Sequence, residues 1–185
     1  AVDFLKAART TGETYDPGKR VLVVGGGDVA VDCAVTAKLL GAEDVKIVYR
    51  RTLEEAPGNM TEFQYALSLG IGITTGMAPA AINGSGKVES VDFAGFRDEA
   101  AKLTLSADTI VFATGQTPED MSKIAAVDLT AKGTIEAKDN GATNAEKIFA
   151  AGDIVNGGKT VVEAVAAGKV AAASMIAYLE EKGVK

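Results

Sequence analysis

The sequence predicts an α/β fold on three observations. "RVLVV" from Arg20 and "VKIVY" from Val45 are short, β-branched runs of the kind buried on both faces of a parallel sheet. Between them, "DVAVDCAVTAKLL" places Val29, Ala30, Cys33, Ala34, Ala37 and Leu40 on one broad helical face, and Gly41 ends it. Further on, "AAINGSGKVESVDFAGF" and "AKLTLS" alternate apolar and polar residues around Asn-Gly and Gly-Lys turn steps, the pattern of an antiparallel meander.

Taken in order, residues 2–9 ("VDFLKAAR") have a helical pattern, and Gly12, Pro17 and Gly18 punctuate a loop after them. The strand–helix–strand unit from Arg20 to Tyr49 follows, and its two strands are expected to run parallel. "MTEFQYALSLG" predicts a second helix and "IGITTG" a third strand, and the meander comes next. "DTIVFATGQTP" predicts a buried strand running into a loop. After a polar stretch, "KIFAAGD" predicts a last buried strand, and "KTVVEAVAAGKVAAASMIAYLEEKG" a long Ala-rich helix. A boundary is expected near Pro118, with the last strand and helix in a different core.

Composition narrows the function. With 185 residues, 47% of them hydrophobic, the chain can bury one core, or one small domain and part of a neighbour. A formal charge of −6, with 19 scattered Lys and Arg, argues against a general nucleic-acid or anionic-membrane binder. No histidine is present, which excludes His-dependent triads and His-ligated zinc. Cys33 is the only cysteine, so a dithiol relay is excluded as well. No metal site and no catalytic side chain is predicted. No apolar run is read as approaching the roughly 20 residues of a membrane span, no signal-peptide pattern is seen, and a cytoplasmic location is expected.

The chemistry concentrates in "VGGGDVA". In Gly25-x-Gly27-x-x-Ala30, Gly25 permits the tight turn out of the strand and Gly27 lets backbone approach a pyrophosphate. Ala30 stands for the third glycine, where helix and strand pack closely. The helix beginning near Asp28 aims free N–H groups and a partial positive charge at the phosphates, so Gly26, Asp28 and Val29 join the candidate site. This is the Rossmann-like arrangement. A carboxylate facing phosphate is unfavourable, so Asp28 is expected to cap the helix. Asp32, one turn on, either contacts ligand or faces solvent, and Cys33 is expected to be a packing residue. The second strand ends in "VYRRT", where an acid would select NAD. Arg50 and Arg51 instead offer permanently charged donors for a 2′-phosphate, the alternative being a solvated pair balanced by Glu54 and Glu55.

The motifs "VLVVGGGDVAVDCAVTAKLLGAEDVKIVYRRTLEEAP", "ATGQTP" and "IFAAGDIVNGGKTVVEAVAAGK" together resemble the family of NADPH-dependent glutamate synthase small (β) subunits. Dihydropyrimidine dehydrogenase and the larger subunit of electron-bifurcating ferredoxin:NADP oxidoreductases share the module. Asp28, usually Asn, and Cys33, usually aliphatic, lean towards the dihydropyrimidine dehydrogenase-like branch.

The resemblance implies a flavoprotein in which NADPH passes hydride to FAD, which feeds iron–sulfur clusters. It implies that Gly25, Gly27 and Ala30 line the NADPH pyrophosphate, and that Arg50 and Arg51 take its 2′-phosphate. Ala113, Thr114 and Gly115 mark the return to the flavin domain. Gly152 and Asp153 hold the ribityl and phosphate end of FAD, and the helix after Lys159 presents the Thr160 and Val161 amides to the isoalloxazine. On this basis residues 1–16 are expected to be a linker helix from the FAD domain, 17–117 the NADPH domain and 118–185 the C-terminal part of the FAD domain.

Only one dinucleotide turn and no cysteine-rich segment are present, so the chain is read as a fragment holding NADP(H) and an FAD half-site. Its expected partner is the N-terminal FAD and iron–sulfur portion, or a protein like the glutamate synthase large subunit. Two rivals stand beside this reading. Tyr178-x-x-x-Lys182 matches the Tyr/Lys spacing of short-chain dehydrogenases, without their glycine spacing or their upstream serine. A non-catalytic nucleotide-sensing or assembly module is the other.

Overall fold

The computed structural model describes residues 1–11, 14–121 and 125–183. It divides into two compact units, Ala1–Gly115 and Gln116–Lys185.

In the first unit, four parallel strands form one sheet: β1 (Arg20–Val24), β2 (Asp44–Tyr49), β3 (Gly72–Thr75) and, from further along the chain, β7 (Thr109–Phe112), in the order β3–β2–β1–β7. The alternation along β1 shows why "RVLVV" reads as apolar throughout. Val21 and Val23 face helices α1 (Val2–Thr11), α2 (Asp28–Leu39) and α3 (Met60–Ser68), and pack among Phe4, Ala34 and Phe63. Leu22 and Val24 point the other way, into a second cluster with Val48, Val91 and Phe93. Each such side chain, fully buried, contributes roughly 1.5–3 kcal/mol.

The residues of that second cluster come partly from the meander, an antiparallel sheet of β4 (Met77–Asn83), β5 (Ser90–Gly95) and β6 (Lys102–Ser106) with a register shift between Pro79 and Ala81. Three layers result: helices, parallel sheet and meander. Asp108 fastens the start of β1 to the start of β7. Its carboxylate accepts from the Lys19 and Arg20 amides and pairs with the Arg20 guanidinium at 2.5 Å, while its own amide donates to the Arg20 carbonyl. The amino group of Ala1 donates to the Phe112 carbonyl at 3.1 Å. Helix α1 lies in the segment expected to be a linker, and its Phe4 and Ala8 are buried.

Two expectations for this unit change. Val29 is 44% exposed, and the buried face of α2 is Ala30, Val31, Cys33, Ala34 and Ala37, because Gly27 rather than Asp28 occupies the N-cap and the apolar stripe starts later. β7 is an edge strand, with only Val111 fully buried and Phe112 half exposed.

The second unit has little regular sheet. "KIFAAGD" is not a buried strand: Phe149 makes a single bridge to Ala142, and residues 148–150 are half-buried. The β-branched and aromatic run is a local signal, whereas a strand needs neighbours, and among the described residues only the segment around Ala142 pairs with it. A short helix, α4 (Asp153–Asn156), precedes α5 (Val161–Glu181). Gly141, at φ 81°, lies so close to α5 that a Cβ there would come within 2.9 Å of the Ala171 Cβ. Ala171 is the only buried residue of α5. Among the described residues, this one helix is long and apolar enough by length and composition to cross a membrane, which corrects the reading that no run has that length. Glu163 and Lys169 interrupt the run to the eye, but two charges are too few to lower its average below that of a span.

Candidate functional site

The three glycines of the turn between β1 and α2 meet three different surroundings. A Cβ on Gly25 would overlap the Ala113 carbonyl, and the Ala113 amide donates to the Val24 carbonyl at 2.8 Å, so the end of β7 seals one side. A Cβ on Gly26 would run into the Tyr49 ring. Gly27 is different. Its backbone is extended (φ −98°, ψ 174°), a conformation any residue adopts, and the nearest atom to a Cβ there would be Pro57 Cγ at 3.9 Å. Neither strain nor packing requires glycine at this position. What glycine leaves is open space directly before α2.

That space borders unpaired donors. The N-cap offers no side-chain hydrogen bond, and among the described residues the amides of Gly27, Asp28 and Val29 meet no protein acceptor. Donors at a helix start together with the helix dipole suit a phosphate. Asp28 does not cap α2. It occupies the first helical position, and its carboxylate turns to the loop before α3, accepting the Asn59 amide at 2.6 Å. Asn59 in turn caps α3 by accepting from the Thr61 amide, and the Gly58 amide donates to the Gly26 carbonyl at 3.1 Å. Residues 57–59 therefore lie along the turn. Asp32 is exposed.

Arg50 and Arg51 leave the C-terminal end of β2, beside the glycine turn, because β1 and β2 pair in register from Arg20 with Asp44 to Val24 with Val48. Both are exposed, and among the described residues neither forms an ion pair. The balance by Glu54 and Glu55 is not observed. Glu55 pairs with Arg97 at 2.6 Å and accepts from the Thr52 amide, contacts that hold its carboxyl below the usual range, the Thr52 bond most strongly. The Arg50 guanidinium sits 5.3 Å from the centre of the Phe96 ring.

Thr114 and Gly115 follow Ala113 as exposed residues. Cys33 is fully buried, and burial pushes its thiol up to about 11, so it supplies no thiolate.

The remaining candidates lie in the second unit. Gly152, at φ 75°, caps α4, and Asp153 Oδ1 accepts from the Lys159 amide at 3.3 Å. The Thr160 amide is not free for a ligand. Thr160 and Glu163 form a capping box in which the Thr160 amide donates to Glu163 Oε2 at 3.1 Å, a consequence of Glu three residues after Thr. Lys159 pairs with Glu163 at 3.5 Å. Val161 stands 79% exposed at the head of an apolar face of α5 that also carries Val162 and Val165, both exposed. Tyr178 donates to Glu146 at 2.9 Å, and this bond and the carboxylate's charge raise its pKa, the reverse of an activated dehydrogenase tyrosine.

Tyr49, the 57–59 loop, Phe96 and Arg97 were not anticipated. Only the loop carried a sequence signal, Asn59 directly before a helical pattern.

A profile of the family described as pyridine nucleotide-disulphide oxidoreductase matches residues 2–168. The chain is 41% identical over 181 residues to the NAD-dependent dihydropyrimidine dehydrogenase subunit PreT homolog of Salmonella typhi, covering 98% of this chain and 42% of that protein. It is 37% identical over 197 residues to the glutamate synthase (NADPH) small chain of Escherichia coli (strain K12), covering 91% and 42%. The chain thus spans about two-fifths of the length of these relatives. Thioredoxin reductase from Lactococcus lactis shares the fold at a TM-score of 0.79 and 24% identity, over 97% of this chain and 60% of that one.

Proposed function

This chain belongs to the pyridine nucleotide-disulphide oxidoreductase family, and we propose that it is the NADPH-binding module of a flavoprotein oxidoreductase together with the C-terminal part of the flavin-binding domain. The observation that carries the reading is Gly27, a glycine that neither its backbone nor its neighbours require, set at a helix start with unpaired amides. A pyrophosphate fits that opening. Gly27, Asp28 and Val29 would hold it through their amides, with Gly25, Gly26 and Ala30 shaping the turn and Asp28 drawn aside by Asn59.

Arg50 and Arg51 would bind the 2′-phosphate. The named relatives include one NAD-dependent and one NADPH-dependent protein, and two unpaired guanidinium groups where a ribose-binding carboxylate would stand favour NADPH here. When bound, reduced nicotinamide supplies a hydride and flavin accepts it. Gly152 and Asp153 would hold part of the flavin nucleotide, and the Val161 amide begins a 21-residue helix whose dipole favours negative charge on a reduced flavin. Onward transfer to iron–sulfur clusters outside this chain rests on the resemblance to the glutamate synthase small subunits.

Titration calorimetry of the chain with NADPH and NADH tests the site. Replacing Arg50 and Arg51 with Ala should weaken NADPH by at least about tenfold, since charge-assisted contacts are worth roughly 1.5–3 kcal/mol each. NADH should change little. Equal losses for both nucleotides would overturn the assignment.

A further inference from the structure

We propose that Phe96 and Arg97, at the turn between β5 and β6, are specificity-determining residues that make the Arg50–Arg51 pair selective for a nucleotide carrying a 2′-phosphate on its ribose. The inference rests on the nucleotide-site reading above and deepens it.

The turn is anchored at the end of β2. The Phe96 amide donates to the Gly76 carbonyl at 2.8 Å, and the Gly76 amide donates to the Arg51 carbonyl at 3.0 Å. Two backbone bonds thus fix the turn to the residue that carries one of the guanidinium groups. From there Phe96 and Arg97 act on the site in different ways.

Phe96 sets the orientation of Arg50. An arginine at a strand end has several rotatable bonds and, unpaired, samples many directions. The Arg50 guanidinium carbon lies over the Phe96 ring, 5.3 Å from its centre, a contact that narrows its directions without supplying an oxygen acceptor for its N–H donors. Those donors are the ones a phosphate monoester takes. Phe96 is 41% exposed, so its ring is open to the solvent in which a ligand would approach.

Arg97 acts through charge. The loop after β2 carries Arg50 and Arg51 and, a few residues on, Glu54 and Glu55, so the segment by itself sums to zero. Arg97 binds Glu55 Oε1 at 2.6 Å while the Thr52 amide occupies Oε2. Both oxygens of the carboxylate are engaged, and the two arginines remain without an ion-pair partner. Removing Arg97 frees Glu55 to compete with a phosphate for them.

The test uses the full chain, with NADPH and NADH as paired ligands and adenosine 2′,5′-bisphosphate against AMP as smaller probes. Phe96→Leu keeps bulk and loses the π-face. It should weaken NADPH roughly threefold and leave NADH unchanged, while Phe96→Tyr should match wild type. Arg97→Gln should weaken NADPH and the bisphosphate only, and adding Glu55→Gln to it should restore both. That restoration separates electrostatic competition from loss of structure. A parallel loss of NADH, or a double variant no better than Arg97→Gln, would overturn the proposal while leaving the nucleotide site standing. A wild-type chain that binds NADH as well as NADPH would overturn this proposal and the Arg50–Arg51 assignment together.

Discussion

Asp28 accepts the amide of Asn59 at 2.6 Å, so the first residue of α2 is tied to the cap of α3. A carboxylate at the mouth of the proposed phosphate site would be unfavourable on its own, and this bond turns it to a backbone donor. Asp28→Ala should loosen residues 57–59 against the glycine turn, leaving the Gly58–Gly26 backbone bond as their tie. Stability should fall by about 1 kcal/mol, measured by urea unfolding, and NADPH should bind several-fold more weakly. Asp28→Asn keeps an acceptor oxygen and should restore most of both. An Ala variant with unchanged nucleotide affinity would show that the loop has no part in binding.

The three glycines of the turn should separate stability from binding. Gly27→Ala meets no protein atom closer than 3.9 Å, so its unfolding midpoint should equal wild type while NADPH binding is lost. Gly25→Ala and Gly26→Ala force a methyl onto the Ala113 carbonyl and the Tyr49 ring, and should each cost about 1–3 kcal/mol of stability. If Gly27→Ala destabilised the chain as much as the other two, the opening before α2 would be a packing feature.

Acid should weaken the first unit through Asp108. Arg20 and the backbone amides hold this carboxyl down to about 2, below its unfolded value near 4. The folded chain then binds fewer protons than the unfolded chain between those values. The contribution is complete above about pH 4 and is lost as pH falls through about 2. Urea midpoints of wild type and Asp108→Asn should therefore differ above pH 4 and converge towards pH 2. Curves that stay parallel across that interval would rule out Asp108 as the source.

The proposed flavin assignment is tested in a version of the protein that carries a complete flavin-binding domain. Asp153→Ala should lower flavin retention, followed by the visible absorbance after gel filtration, and leave NADPH affinity unchanged. Flavin fully retained together with lost NADPH binding would contradict the split between the two candidate sites.

The parallel core was legible because both faces of β1 are buried, so every position from Val21 to Val24 is apolar. The glycine turn was legible for a similar reason, since three residues at fixed spacing carry it. The boundary of α2 was less so. Gly27 takes the N-cap without a side-chain bond, which displaces Asp28 into the helix and leaves Val29 outside the core. "KIFAAGD" shows the limit of local patterns: it has the composition of a strand and, in this unit, one rung of a ladder. Phe96 and Arg97 could not be found from spacing, because their positions beside Arg50 and Glu55 depend on a turn far along the chain folding back to Gly76.

The bond between the Ala1 amino group and the Phe112 carbonyl has an evolutionary consequence. Residues 1 and 112 bracket α1, the whole parallel sheet and the meander, yet they lie within a single hydrogen bond of each other. A unit whose ends coincide can be spliced into a surface loop of a host domain without stretching the host's own chain, or be circularly permuted. Such a cassette can pass from one host to another intact, since its buried core and its closing hydrogen bond both lie within residues 1–112.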